Sequence, residues 1–209
     1  MEAQGAALHD DDIIVVASKA VSISENRRVD LVTVTPSAEA LELSARTGKP
    51  AEVVQLVLDE SVTHFLACDR GPIIARHRLG FELTSAGVDR DGQDGAWLLP
   101  SDPDASARGL RDGITKATGV TVAVVIVDSD GRADRRGATV ISIGAAGVAP
   151  LRVTEHGGKR QEETFTDLIA AAGIILGQRG RGAPVAVLRG IAYTHASDEG
   201  VTAMLHHRP

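Results

Sequence analysis

Short apolar runs separated by polar turns predict the strands of this chain. Residues 12–17 (DIIVVA) and 121–127 (TVAVVIV) are apolar at consecutive positions, as in strands covered on both faces. Residues 140–143 and 184–188 are shorter runs of the same kind. Residues 73–83 mix polar and apolar positions and predict a hairpin or an irregular strand pair. We expect the run 121–127 at the centre of a sheet.

Helical patterns lie between these runs, at residues 36–47, 51–61, 104–119 and 162–176. The first has Thr35 as predicted N-cap, Pro36 at its first position and Gly48 after its end. The third has Ser101 or Asp102 near its cap. Strands and helices do not alternate strictly, so we predict an α+β fold with mixed sheets rather than a doubly wound sheet. The chain fits a single domain, 1–209, or two small intertwined lobes.

Composition excludes several functional classes. The net charge of −6 argues against nonspecific nucleic-acid binding, which needs a basic face. The single cysteine, Cys68, excludes an internal disulfide and suggests a reducing compartment; we expect a small, partly buried residue rather than a nucleophile. Residues 1–12 are acidic and lack a secretory pattern, and no apolar run has the ~20 residues that span a bilayer. We therefore expect a soluble, cytoplasmic protein with no membrane partner.

Acidic side chains recur at turns, beside glycines and after the most apolar run: Asp89, Asp102, Asp104, Asp128 and Asp130. Asp128 and Ser129 follow the predicted central strand, and their oxygens suit Mg²⁺ or Mn²⁺. Asp128 is otherwise a strand-ending residue that bonds a turn amide. Asp89, in AGVDRDG, is either a ligand or part of an Asx-turn.

Basic residues near these carboxylates suggest anion binding. Arg132, Arg135 and Arg136 suit phosphate or carboxylate geometry, or else lie in a solvated loop. Lys19 follows the first strand and either reaches a phosphate or lies on the surface. The loop 177–184 (GQRGRGAP) combines glycines with two arginines, although it is not a Walker A loop. The chain also lacks a zinc-type His/Cys spacing and a GxSxG elbow.

Several segments together resemble the F420-0:gamma-glutamyl ligase family (coenzyme F420:L-glutamate ligase). They are DIIVVASKAVS, LTSAGVD, LLPSDPDASARGLR, GVTVAVVIVDSDGR with RRG, IGAAGVAPLR, AAAGIILGQ and GAPVAVLRG, which cover residues from about 12 to 190. The resemblance implies a mixed α+β fold and an intertwined homodimer. It also implies that GTP and Mg²⁺ or Mn²⁺ support the joining of L-glutamate to a terminal carboxylate of the coenzyme F420 precursor through an acyl phosphate.

The resemblance also implies site residues. The metal ligands would be Asp89, Asp128, Ser129 and Gln178. The nucleotide contacts would be Ser18, Lys19, Leu176, Gly177, Gln178, Arg179, Gly180, Arg181, Gly182 and Ala183. No catalytic acid or base is assigned.

Departures from the family's pattern leave other functions open. We expect the N-terminal strand and loop that contact the nucleotide in the family to be missing. Ile23 stands where the family has a basic residue, Gly92 where it has an asparagine, and Val140 in a segment that is polar in the family. Metal binding is then better preserved than coenzyme and GTP binding. The alternatives are a diverged amide-bond ligase for another acid and amine, or a non-catalytic nucleotide- or coenzyme-binding homologue.

Overall fold

A computed structural model describes residues 7–68, 70–92, 94–174, 183–196 and 199–206. Its helices are α1 (Ser18–Ser24), α2 (Ala38–Thr47), α3 (Ala51–Asp59), α4 (Pro103–Thr118) and α5 (Phe165–Gly173). Its strands are β1 (Ile13–Ala17), β2 (Arg28–Asp30), β3 (Ser61–Leu66), β4 (Ile73–His77), β5 (Glu82–Thr84), β6 (Asp89–Asp91), β7 (Gly95–Trp97), β8 (Ala123–Gly131), β9 (Ala138–Ala146), β10 (Leu151–His156), β11 (Lys159–Thr164) and β12 (Val185–Leu188). Mixed and antiparallel sheets with helices confirm the α+β prediction.

The central sheet has the strand order β12-β1-β8-β9. Strands β1 and β8 run parallel, and the two edge strands are antiparallel to them. The first five residues of β8, Ala123–Val127, are all buried, which confirms the central position predicted for this run. Helix α4 approaches Gly144, which pairs with Ile126, whereas α5 approaches Val15, which pairs with Val125. Because successive strand residues point to opposite faces, the two helices cover opposite faces of the sheet.

A second hydrophobic core lies between α2, α3 and two small sheets. The sheets have the orders β3-β4-β5 and β2-β7-β6. The core includes Leu43, Val54, Val57, Ile73 and Ala96, all buried. The prediction of a single domain, or of two small intertwined lobes, stays a prediction. Within the described ranges, no helix combines the length and the apolar character that crossing a bilayer requires.

Helix boundaries differ from the sequence predictions where side-chain caps decide them. The N-cap of α2 is Ser37 rather than Thr35, since Ser37 Oγ accepts a hydrogen bond from Ala40 N at 3.2 Å. Gly48 ends this helix with φ at 72°, as the pattern predicted. Helix α3 ends at Asp59, because residues from Ser61 onward form β3, a strand that the pattern did not reveal.

The C-terminal half contains a hairpin that the sequence did not predict. Strands β10 and β11 pair with each other, and most of their residues are exposed. The predicted helix 162–176 therefore begins only at Phe165. Cys68 is exposed rather than partly buried.

Two of the acidic residues singled out above have structural roles. Asp102 is the N-cap of α4, and its side chain accepts a hydrogen bond from Ala105 N at 2.9 Å. Asp104 is buried and accepts hydrogen bonds from Ala145 N, Val201 N and both the amide and the hydroxyl of Thr202. The Asp104 carboxylate thus joins α4, β9 and the C-terminal segment.

Replacing Asp104 with Asn should destabilise the fold. The Asn side chain would place an NH₂ group where some of these donors now find a carboxylate oxygen, so their hydrogen bonds would be lost. We therefore expect a loss of about 2 to 4 kcal/mol in unfolding free energy. Chemical denaturation measures this loss. Asp102→Asn is the matched control, because Asn caps a helix as well as Asp does. Equal stability of the two variants would contradict the structural role of Asp104.

Candidate functional site

Parallel pairing of β1 and β8 brings Ser18 and Asp128 to one edge of the central sheet. Ala17 pairs with Val127; the next residue in the chain after Ala17 is Ser18, the first of α1, and the next after Val127 is Asp128. Ser18 Oγ donates a hydrogen bond to Asp128 Oδ1 at 2.5 Å. Asp128 marks the end of the buried part of β8 but not of the strand, which continues to Gly131; the prediction that it ends the strand is wrong.

Asp89 reaches the same place from a different sheet, at the start of β6. Its carboxylate lies 3.4 Å from Lys19 Nζ, and both side chains are substantially exposed. It also contributes to the electrostatic field at Asp128. The structure therefore brings together Ser18, Lys19, Asp89 and Asp128, which were predicted from separate motifs.

A left-handed turn aims Asp89 at the sheet edge. Ser85, Ala86 and Gly87 have φ values of 53°, 49° and 67°. Any side chain at Gly87 would collide with Leu99, because a Cβ there would lie 2.7 Å from it. Val88 N then donates to Ser85 O at 2.9 Å, so the SAGVD motif encodes a tight turn immediately before Asp89.

Burial raises the pKa of the Asp128 carboxyl to about 7. The hydrogen bond from Ser18 opposes this rise, the negative charges of Asp89 and Asp130 add to it, and the backbone N–H of Ser129 also opposes it. The charged form of Asp128 is therefore poorly compensated by protein groups. A cation at this position would supply the missing positive charge. The raised pKa of Asp128 therefore makes Asp89 and Asp128 a suitable pair for binding a divalent ion.

The other two predicted metal ligands are placed differently. Ser129 is exposed, and as the next residue on the strand its side chain leaves the sheet on the opposite face from Asp128. Its observed contact with Asp128 is through the backbone N–H. Gln178 lies outside the described residues. Among the residues that the structure describes, no three His, Cys, Asp or Glu side chains form a metal-binding group, so the described carboxylate donors are the pair Asp89 and Asp128.

The predicted nucleotide-binding loop lies mostly outside the described residues, which include Ala183 but not 176–182. The chain re-enters the described part beside the site, because Ala17 N donates to Pro184 O at 2.8 Å. Ala183 therefore lies close in the fold to Ser18 and Lys19. Of the predicted nucleotide-binding residues, Ser18, Lys19 and Ala183 are the described ones, and they lie at the same sheet edge.

An apolar groove of about 320 Å³ lies beside β1 and the start of α1. It is lined by side chains of β1, α1, α4, β8 and β12, including Val16, Ala20, Ile114 and Val185. Val16 and Ala20 flank Ser18 and Lys19 in the chain. The arrangement places an apolar surface next to a charged one, as a ligand with a flat ring and phosphates would require.

The three arginines lie in the exposed connection between β8 and β9. Arg132 and Arg135 both bond the Asp134 carboxylate, and these bonds lower the pKa of Asp134 to about 2. Arg132 also acts on the charge of Asp130. Exposed pairs of this kind cost little to break, so phosphate binding by Arg132, Arg135 and Arg136 stays a prediction.

The sequence pattern gave no role to Thr84 and named Asp130 only among the recurring acidic residues. Thr84 N donates to Asp130 Oδ1 at 2.9 Å, and Thr84 Oγ1 donates to Gly131 O at 2.8 Å. A Cβ at Gly131 would lie 2.5 Å from the Thr84 hydroxyl. The alternation of side chains along β8 could have indicated a role for Asp130, since it places Asp130 on the same face as Asp128.

The departures from the family's pattern lie at exposed or partly buried positions. Ile23 is exposed on α1, Gly92 has a φ of 61° in the turn between β6 and β7, and Val140 is partly buried on β9. None of these three residues offers a side-chain metal donor beside Asp89 and Asp128.

In the metal-free protein, the contribution of Asp128 to stability should fall as the pH rises from about 4 towards 7. The folded state holds a proton on Asp128 up to a pKa of about 7, whereas the unfolded chain releases it near 3.8. The stability that this proton contributes is fully present below the pKa of the unfolded chain and is lost as the pH rises through the pKa of the folded state. The loss in unfolding free energy is at most about 4 kcal/mol. Relative to the unmodified chain, Asp128→Asn should therefore gain unfolding free energy as the pH rises through this range, as chemical denaturation measures it, whereas Asp112→Asn, exposed on α4, should not. Identical profiles for Asp128→Asn and the unmodified chain would contradict the raised pKa.

The family model and the curated relatives that match this chain carry the same functional description. The family model described as F420-0:Gamma-glutamyl ligase matches residues 1–190. A coenzyme F420:L-glutamate ligase of Methanothermobacter thermautotrophicus is 37% identical over 98% of this chain and 85% of the relative. Proteins of the same name from Methanocaldococcus jannaschii and Archaeoglobus fulgidus are 34% and 38% identical, over 92% and 87% of this chain and 81% and 76% of their own lengths.

These matches cover the strands and helices that build the site described above. The segments that carry Ser18, Asp89 and Asp128 all fall within the matched range. The chain therefore belongs to the F420-0:gamma-glutamyl ligase family and is an acid–amino-acid ligase that forms C–N bonds.

Proposed function

We propose that this chain adds L-glutamate to coenzyme F420-0 in a reaction that requires GTP and a divalent metal ion. The observation that carries the proposal is the convergence of Ser18, Lys19, Asp89 and Asp128 at one sheet edge. The names of the relatives supply the substrates. The site supplies a reason for GTP and metal, because carboxylates and a lysine at one edge suit a metal-bound phosphate chain.

Asp89 and Asp128 would hold Mg²⁺ or Mn²⁺, together with Gln178 as the family resemblance implies. The resemblance also implies Ser129, but its side chain leaves the opposite face of β8, so we do not include it in this proposal. Hard oxygen donors suit these ions, and the uncompensated charge at Asp128 favours a cation. When bound, the ion would neutralise charge on the phosphates and favour attack at the γ-phosphorus.

Lys19 would bind the nucleotide phosphates after leaving Asp89. Its pair with Asp89 is 3.4 Å long and exposed, so separating the two charges costs little. Ser18 stays bonded to Asp128 and keeps the carboxylate oriented. The groove lined by Val16, Ala20 and Val185 would receive a flat ring of the guanine base or of the deazaflavin.

The proposed reaction has two displacements. A carboxylate oxygen of F420-0 attacks the γ-phosphorus of GTP, and GDP leaves with the electrons of the broken P–O bond. The amino nitrogen of L-glutamate then attacks the acyl carbon of the acyl phosphate, loses a proton and expels inorganic phosphate. Holding donors and acceptors in fixed positions is the main contribution of the protein to such steps.

The homodimer implied by the family resemblance stays a prediction. The hairpin β10–β11 supports it, because two strands alone are marginally stable in water and a second copy would cover them.

Incubation of the purified chain with F420-0, GTP, Mn²⁺ and L-glutamate tests the proposal. We expect mass spectrometry to show F420-0 extended by glutamate, with one GDP formed for each residue added. GTP turnover with another acid or amine, but none with F420-0, would instead indicate the diverged ligase. Binding of nucleotide without turnover of any acid would indicate the non-catalytic homologue.

Two substitutions should separate metal binding from nucleotide binding. Asp128→Ala should weaken Mn²⁺ binding by more than about 100-fold, since it removes a direct ligand rather than a group behind one. Lys19→Met should retain Mn²⁺ binding and weaken GTP binding by about tenfold, as expected for one lost charged hydrogen bond. Calorimetry measures both constants.

Matched controls are Asp112→Ala and Lys116→Met, which remove the same charges from exposed positions of α4. Wild-type Mn²⁺ affinity in Asp128→Ala would refute the metal assignment. Wild-type GTP affinity in Lys19→Met would refute the role of Lys19 alone.

A further inference from the structure

We propose that Thr84 and Asp130 are positioning residues that hold Asp89 and Asp128 at the separation needed to share one metal ion. This inference rests on the proposed function, because it assumes that the two carboxylates bind the ion. Neither residue is proposed as a ligand. Their role is to connect the two parts of the fold that carry the ligands.

The connection is needed because the two ligands belong to different sheets. Asp89 is on β6, which pairs with β7, whereas Asp128 is on β8, which pairs with β1 and β9. Two carboxylates of like charge also repel each other until a cation lies between them. The backbone ladders of β6 and β8 therefore do not set the distance between Asp89 and Asp128.

Thr84 makes two hydrogen bonds across this gap. Its backbone N–H donates to Asp130 Oδ1 at 2.9 Å, and its hydroxyl donates to Gly131 O at 2.8 Å. Asp130 lies two positions after Asp128 and shares its face of β8. The absence of a side chain at Gly131 permits the close approach of the Thr84 hydroxyl. The end of β5 is thereby fixed to the segment that carries Asp128.

The chain between Thr84 and Asp89 transmits this position. Residues 85–87 form the left-handed turn closed by the bond from Val88 N to Ser85 O. The side chains of Ser85, Ala86 and Val88 are buried. A short turn anchored by burial leaves little freedom for Asp89, so a shift at Thr84 would move Asp89 relative to Asp128.

Thr84→Val and Thr84→Ser test the hydroxyl bond. Both keep the backbone donor to Asp130, but only Ser keeps the hydroxyl that bonds Gly131. With Mn²⁺ alone as the probe and free Mn²⁺ counted by electron paramagnetic resonance, we expect Thr84→Val to raise the dissociation constant about tenfold. Thr84→Ser should remain close to the wild-type value, and this rescue would not follow from a general packing defect.

Asp130→Ala and Asp130→Asn test the other bond. Both remove the charge, but Asn retains an oxygen that accepts the hydrogen bond from Thr84 N. We expect Asp130→Ala to bind Mn²⁺ at least about fivefold more weakly than Asp130→Asn. The difference between them isolates the hydrogen bond from the electrostatic effect of the lost charge. The bound-ion spectrum should also change in Asp130→Ala, because the ligand geometry changes.

The outcomes distinguish this inference from the function on which it rests. Failure of the wild-type chain to bind Mn²⁺ would overturn both. Wild-type binding, with Thr84→Val equal to Thr84→Ser and Asp130→Ala equal to Asp130→Asn, would overturn the positioning role alone. Thermal unfolding of each variant checks its folding, and should one pair fail to fold, the other pair decides.

Discussion

The burial of β1 against β8 is the constraint on which the site depends. Residues 13–16 of β1 and 123–127 of β8 are apolar and buried on both faces, and the two strands pair in parallel. Parallel strands end at the same edge, so the first polar residues after each buried run, Ser18 and Asp128, must meet there. Strand β12 runs antiparallel to β1 and brings its beginning, after Pro184, to that edge. Groups far apart in the chain are thus collected by sheet topology.

The surroundings of Asp104 and Asp128 give one carboxylate a structural role and the other a candidate role in ligand binding. The Asp104 carboxylate is buried and accepts bonds from four donors, so its charge is satisfied within the fold. The Asp128 carboxylate accepts from the Ser18 hydroxyl and the Ser129 amide while other carboxylates repel it. Both aspartates belong to motifs that stand out in the sequence. Only the negative charge of Asp128 is left without enough compensation from protein groups, so only Asp128 favours a bound cation.

The sequence predicts best where local chemistry decides the outcome. The apolar runs predicted four of the strands, and Asp102 and Gly48 marked helix ends through their capping chemistry. The pattern missed the hairpin β10–β11 because β11 is polar throughout and the apolar residues of β10, Leu151 and Val153, give too short an alternation. It also could not reveal the bond from Thr84 to Asp130, since contacts between separate sheets depend on tertiary packing. Asp89 and Asp128 were found by motif, but their proximity required the fold.

The left-handed turn at residues 85–87 has a consequence for ligand capture. Ser85 and Ala86 adopt a conformation that costs a residue with a side chain about 1 to 2 kcal/mol. That cost, and the entropy of ordering the turn, are met during folding by the burial of Ser85, Ala86 and Val88. Asp89 is therefore preorganised: an incoming ion does not have to order a flexible segment, and more of its interaction energy remains available as affinity.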